Sequence, residues 1–229
     1  MKVNILHSWE LSYTRAADLQ RELALRIIRE NHVDRHSLRH VAGTDVSYSR
    51  ATNRCYCGVS VLSYPDLNVV LEETAVVEAT FPYIPGLLSF REIPGLIDVF
   101  EALRITPDLI IVDGQGLAHP RRLGLACHLG LILDIPTIGC AKSRLIGEHE
   151  MPAATKGAQS DLLDKGEKVG VVLRSRTGVS PVYVSIGHRI DLTTAAELVL
   201  NCCPKYRLPE TTRAAHRLVY SLMREHEQQ

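Results

Sequence analysis

Leu109-Ile110-Ile111-Val112-Asp113-Gly114-Gln115-Gly116 sets four consecutive apolar residues directly before a carboxylate and a glycine-rich turn. A run with no polar face fits a strand covered on both sides. Upstream, the helical spacing of Ile97, Phe100 and Leu103 follows Pro94 and is stopped by Pro107. Downstream, a helix-like stretch from Arg121 to Leu133 leads into a second buried strand, Pro136 to Cys140. Helices alternating with short apolar strands imply a parallel portion of sheet.

Further out, Ala16, Leu19, Leu23 and Ile27 recur at helical spacing within Ser12 to Glu30, behind the capping residues Ser12 and Thr14, so an amphipathic helix is expected there. Val41 to Tyr48, Cys57 to Tyr64 and Val69 to Thr80 are valine-rich and extended, and Pro65-Asp66-Leu67-Asn68 turns the second into the third. They read as an antiparallel meander. Glu148 to Lys168 is polar and holds Pro152, Gly157 and Gly166, which suggests a surface excursion. Strands at Val169 to Arg174 and Val182 to Ile186 follow. A final helix has Pro209 near its first turn and Ala215, Leu218, Val219 and Leu222 as its apolar stripe. The expected fold is one α/β domain over residues 1–229: a mixed sheet, its antiparallel meander continued by parallel strands, flanked by helices, in an order that fits a ribonuclease H-like sheet.

With 229 residues, 45% hydrophobic and 23% charged, the chain suits one large globular domain and neither a disordered nor a collagenous protein. No apolar run near Met1 suggests an export signal, and the stretch from Cys127 to Cys140 is broken by Asp134 and Pro136, so a cytoplasmic protein is expected. A monomer is the working expectation, though no sequence feature decides it. The six cysteines show no C-x-x-C pairing, and reduced thiols are the plain expectation. Net charge is zero, which gives no general sign of a nucleic-acid binder. Charge is uneven, however. Residues 66–101 hold seven acids and one arginine, whereas 168–190 hold Lys168, Arg174, Arg176 and Arg189 without a carboxylate, which permits a local phosphate-binding surface, with solvated faces of ordinary elements as the alternative.

Two aspartates interrupt apolar strands: Asp45 within Val41-Ala42-Gly43-Thr44-Asp45-Val46, and Asp113 after Val112. A carboxylate in such a place is costly unless paired or bound to metal, and hard oxygen donors suit Mg²⁺. Alternatively, Asp113 caps the following glycines and Asp45 is buried against an arginine. A position at the carboxyl end of a parallel strand favours a functional Asp113. Gly114-Gln115-Gly116 would turn backbone N–H groups toward a ligand, with a plain turn as the alternative. In Phe81-Pro82-Tyr83-Ile84-Pro85-Gly86 the two prolines stiffen an apolar projection of the kind that enters a nucleic-acid stack, with buried loop packing as the alternative. Glu92 is either a surface acid or a third carboxylate of the site.

The strings Gly43-Thr44-Asp45-Val46-Ser47-Tyr48, Phe81 to Pro94, Asp113-Gly114-Gln115-Gly116-Leu117-Ala118-His119-Pro120-Arg121-Arg122-Leu123-Gly124, Pro136 to Leu145 and Tyr206 to Arg213 occur in an order that resembles endonuclease V. The resemblance runs from residue 43 to residue 216 and includes the N-terminal helix. The chain departs from many relatives at Thr211, where proline is frequent, and at Cys140, where valine is. The resemblance implies an endonuclease that recognises a deaminated purine, inosine, in DNA and hydrolyses the second phosphodiester 3′ to it, leaving a 3′-hydroxyl and a 5′-phosphate. It implies Asp45 and Asp113 as ligands of a catalytic Mg²⁺, replaceable by Mn²⁺, with Glu92, Lys142 and His216 completing the catalytic set. It also implies Tyr83 as a wedge between Pro82 and Ile84, and Gly86, Leu88, Gly114, Gly116, His119 and Leu145 as substrate-contacting residues. Inosine-containing RNA as substrate, or a non-catalytic nucleic-acid binder on the same fold, are the alternatives.

Overall fold

The valine-rich stretches form strands β1 (His40–Ser49), β2 (Arg54–Ser63) and β3 (Val69–Glu78), paired antiparallel in sequence order. The computed structural model describes residues 1–227. β4 (Leu109–Val112) and β5 (Thr137–Ala141) lie parallel to β1, and β6 (Gln159–Asp164), β7 (Glu167–Leu173) and β8 (Val182–His188) close the sheet antiparallel. The order β3-β2-β1-β4-β5-β8-β7-β6 is the mixed, ribonuclease H-like sheet expected, an antiparallel meander continued by parallel strands. Helices α1 (Tyr13–Ala24), α2 (Leu88–Ala102), α3 (Leu125–Leu133), α4 (Leu192–Asn201) and α5 (Glu210–Glu227) flank it. None of these helices is long and apolar enough to cross a membrane.

β2 is buried from Cys55 to Leu62 because helices press on both of its faces. Small residues permit this. A methyl group at Gly58 would lie 2.6 Å from Val219 Cγ2 of α5, and one at Gly95 of α2 would lie 2.5 Å from Cys57 Sγ. Adjacent residues of β2 thus meet opposite layers. α3 lies on the side of α2: Gly130 is packed on Thr137, whose hydroxyl donates to the Ala126 carbonyl at 2.8 Å.

Several boundaries differ from expectation. α1 stops at Ala24, not Glu30, because the following backbone turns to the end of β8: Arg189 N–H donates to Ile28 O at 2.7 Å and His32 N–H to Arg189 O at 3.0 Å. α2 starts at Leu88 and carries Pro94 inside it. The lost hydrogen bond and ring clash cost about 3 kcal/mol, outweighed by burial of Phe90, Ile93, Leu96 and Phe100. α3 starts at Leu125 rather than near Arg121, since 116–124 folds back on itself, with Gly124 N–H on Gly116 O at 3.0 Å. The excursion at 148–168 contains β6, joined to β7 through Lys165 (φ 55°) and Gly166 (φ 80°), which suits a two-residue hairpin turn. α4, capped by the Asp191 carboxylate on Thr194 N–H at 2.9 Å, is an element that the sequence patterns above did not announce.

Candidate active site

Thr44 pairs with Val112 across parallel strands, so Asp45 and Asp113 occupy the next position on neighbouring chains and face the same way. Gly43 brings a third element in. A methyl there would fall 2.2 Å from the Thr211 carbonyl carbon, so only glycine lets the start of α5 abut β1. That packing carries His216, one turn later, onto Asp45, with Nδ1 3.0 Å from Oδ2. Lys142, just past β5, places Nζ 2.5 Å from Asp113 Oδ2.

Burial pushes the Asp45 carboxyl above its ordinary range, against the His216 hydrogen bond and charge, and Asp113 adds to the rise. Glu92, half-buried on α2, is pushed up to about 8 by burial and then by the charge of Asp45. Burial and neighbouring negative charge thus disfavour the ionised forms of Asp45 and Glu92, and an added cation would relieve both. Among the described residues no three His, Cys, Asp or Glu side chains converge closely enough to cage an ion alone. A hard divalent cation can be held by one or two carboxylates, with water and phosphate oxygens completing its shell. Asp45 and Asp113 fit that donor set.

Beside Asp113 and Lys142 lies a cavity of about 350 Å³, lined also by Tyr83, Ile84, Gly86, Leu88, Gly114, His119 and Leu145. Tyr83, 66% exposed, stands at its rim and also lines a neighbouring cleft with Pro82, Arg91 and Glu92. Gly86 (φ 79°) holds a backbone conformation that favours glycine. Its carbonyl accepts from Gln20 Nε2 at 3.0 Å, Arg121 Nη2 at 2.7 Å and His119 Nε2 at 3.1 Å. His119 Nδ1 accepts from Arg121 N–H at 3.2 Å, so the ring proton sits on Nε2. Burial, and then the Arg121 charge, lowers His119 to about 4 and keeps it neutral.

Two sequence expectations do not fit this geometry. Gly116 lies off the cavity: its N–H donates to Ser185 Oγ at 2.9 Å, and a methyl there would strike Ile186 O at 2.0 Å, so this glycine serves close packing rather than a ligand. Gly114 N–H is likewise turned inward, to Val112 O at 2.9 Å. The basic stretch 168–190 is largely tied up within the protein, although Arg176 is exposed. Lys168 pairs with Asp161, Arg189 with Asp134, and buried Arg174 donates to the carbonyls of Pro152, Ala153 and Val179.

The family model described as Endonuclease V matches residues 21–217. The chain belongs to the endonuclease V family. An Endonuclease V of Nostoc punctiforme is 51% identical over 93% of this chain and 96% of its own length. The crystal structure of the Endonuclease V of Streptomyces avermitilis superposes with a TM-score of 0.92 at 42% identity, covering 99% of this chain and all of that one. An Endonuclease V of Ciona intestinalis, solved in complex with a 23mer DNA containing an inosine followed by a ribo-adenosine, gives 0.84 at 30% identity, covering 93% of this chain and 97% of that one. Endonuclease V proteins are nucleases, hydrolases of nucleic acid, and this chain is one of them.

Sequence reasoning missed three positioning residues of this chain. Gln20, 1% exposed, ties α1 to the Gly86 and Leu123 carbonyls and accepts from Arg121 Nε. Arg121 completes the clamp on Gly86. Arg207 donates to the carbonyls of Lys142 (2.6 Å), Ser180 (2.8 Å) and Pro181 (2.9 Å), and so fixes the backbone that carries Lys142. A helical glutamine and a loop arginine carry no such signal by themselves.

Proposed function

We propose that the protein, as a cytoplasmic monomer, nicks DNA beside a deaminated purine, hydrolysing the second phosphodiester 3′ to the lesion with Mg²⁺, or Mn²⁺ in its place. The observation that carries this reading is the cavity running from Tyr83 to Asp113 and Lys142, which joins a base-sized recess to one of the two proposed metal-binding carboxylates. Its volume lies at the small end of the range for ligand pockets, about 300–1,000 Å³. The inosine-containing complex of the Ciona relative supports the same substrate.

Recognition requires the base to leave the stack, which is cheaper for a poorly paired one. α2 begins without a side-chain cap, and Leu88 and Ser89 of its first turn line the cavity, so backbone N–H groups are available there. The O6 of hypoxanthine accepts from such donors, whereas the amino group of adenine sets donor against donor. The Gly86 carbonyl, already held by three donors, takes no part in this reading.

A divalent cation at Asp45 and Asp113 would supply Lewis-acid polarisation of the phosphate and stabilise the departing oxygen. Lys142 adds a positive charge beside Asp113. Since a carboxylate only accepts, His216 donates from Nδ1 to Asp45, leaving Nε2 to accept a proton from water. The water oxygen bonds to phosphorus as the bond to the 3′-oxygen breaks. That oxygen takes up a proton, giving a 3′-hydroxyl and a 5′-phosphate.

Matched inosine-containing and unmodified duplexes, assayed with and without Mg²⁺, test the proposal directly. Equal nicking of both duplexes, or nicking unaffected by chelation, would refute it.

Tyr83→Ala is expected to weaken binding to the inosine duplex by about 1–3 kcal/mol, the worth of one base–aromatic stack. Its melting temperature should stay put, because the ring is exposed. A lowered melting point with unchanged affinity of the folded fraction would make Tyr83 a packing residue.

His216→Ala is expected to slow nicking by roughly 10²-fold, the lower end for positioned acid–base groups. His216→Asp should keep more activity, since an oxygen donor also suits Mg²⁺. The side chain is 58% exposed, so neither variant should melt early. Nicking rates and melting curves on the same preparations decide. A fully active alanine variant would remove His216 from the mechanism.

A further inference from the structure

While Lys168, Arg174 and Arg189 are engaged by other segments of the protein, Arg217 and Arg224 of α5 are not. Between the carboxylates at its two ends, Glu210 and Glu225 with Glu227, α5 carries Arg213, His216, Arg217 and Arg224. Arg213 reaches Glu210 only at 3.8 Å, and no carboxylate of the described residues pairs with Arg217 or Arg224. Arg213, Arg217, Tyr220 and Arg224 follow one another at spacings of four, three and four, so they share one face of the helix. Arg217, Tyr220 and Arg224 are exposed.

Aromatic rings interleave with the charges. The Arg213 guanidinium lies 3.3 Å over the Tyr206 ring, and Arg224 sits 5.8 Å from the Tyr220 centroid. The face is continuous with the active site, because His216, which touches Asp45, lies between Arg213 and Arg217.

We propose that this face of α5 is a phosphate-tracking surface that carries the DNA backbone away from the cleavage site. It rests on the reading of the protein as a DNA endonuclease and extends that reading to a part of the substrate beyond the lesion. From residue 213 to residue 224 the row runs about 16 Å at a rise of about 1.5 Å per residue. At about 3.4 Å per nucleotide along one strand, that matches about five phosphates. In a protein of zero net charge, such a local row supplies what the whole molecule lacks.

The test is the salt dependence of binding, measured by fluorescence anisotropy with an inosine-containing duplex and Ca²⁺ in place of Mg²⁺. Each cation withdrawn from a phosphate lowers the slope of log affinity against log salt by about 0.9. For the double variant Arg217→Gln with Arg224→Gln, the slope should fall by about 1.8 at unchanged melting temperature. The control is Arg39→Gln with Arg104→Gln, exposed arginines beside the opposite ends of β1 and β4, which should leave the slope unaltered. On a duplex trimmed to the lesion and the cleaved bond, the difference between wild type and the α5 variant should vanish. Equal slopes for wild type and the α5 variant, or an equal fall in the control, would overturn the proposal. Wild-type protein that neither prefers nor nicks inosine-containing DNA would instead overturn the proposed function, while the slopes would still report whether α5 holds phosphates.

Discussion

Asp113→Asn is expected to abolish nicking, by at least about 10³-fold, while lesion binding survives. Asparagine keeps the volume and one oxygen of the side chain but removes the charge that would hold a divalent cation. Stabilisation of transition-state charge by a metal is worth several kcal/mol, and each 1.36 kcal/mol is tenfold in rate. The cavity and Tyr83 are untouched by the change. Lys142 loses its partner, but at 46% exposure its ammonium returns to water at little cost. Gel-shift and nicking assays on one preparation check this. Near-wild-type cleavage in Mg²⁺ would strike Asp113 from the site.

Glu92→Gln is expected to make the metal-free protein more stable and the enzyme much slower. The folded-state pKa of Glu92 is about 8 against an ordinary 4.5, raised first by burial and then by Asp45. Below pH 4.5 the carboxyl is neutral in both states and carries no penalty. As pH rises from 4.5 through 8, the unfolded chain sheds a proton that the folded one retains, so stability falls by about 1.4 kcal/mol per unit. By pH 8 the loss is on the order of 4 kcal/mol, which glutamine avoids. Melting curves in EDTA from pH 4.5 to 8 should therefore diverge, with the variant melting higher at the alkaline end. Adding Mg²⁺ should narrow the gap by stabilising the wild type. Parallel curves would show that Glu92 is not held among like charges.

The strand signals that carried the fold were strong where burial is two-sided. Leu109–Val112 could hardly be anything else, and an aspartate ending such a run marks itself by its cost. Tyr83 was visible because two prolines stiffen its loop. The polar edge strand β6, with the sequence Gln-Ser-Asp-Leu-Leu-Asp, was hidden because it buries little and takes its order from β7. The fate of the basic residues at 168–190 was hidden for a different reason. Their partners Asp134, Pro152 and Asp161 come from other segments, and only the fold brings them near. Gln20 was hidden in the same way, since its partners lie 66 and 103 residues further on.

The triple hold on the Gly86 carbonyl has a kinetic consequence. Gln20, Arg121 and His119 fix the loop behind Tyr83 when the protein folds, so its ordering entropy is not charged to the encounter with DNA. On the proposed reading, no lid would have to close before a base is tested: the protein would scan as a fixed probe, with its dwell at each base pair set by how readily that pair opens. Discrimination along an undamaged helix would then be, in the first instance, a property of the DNA's own breathing.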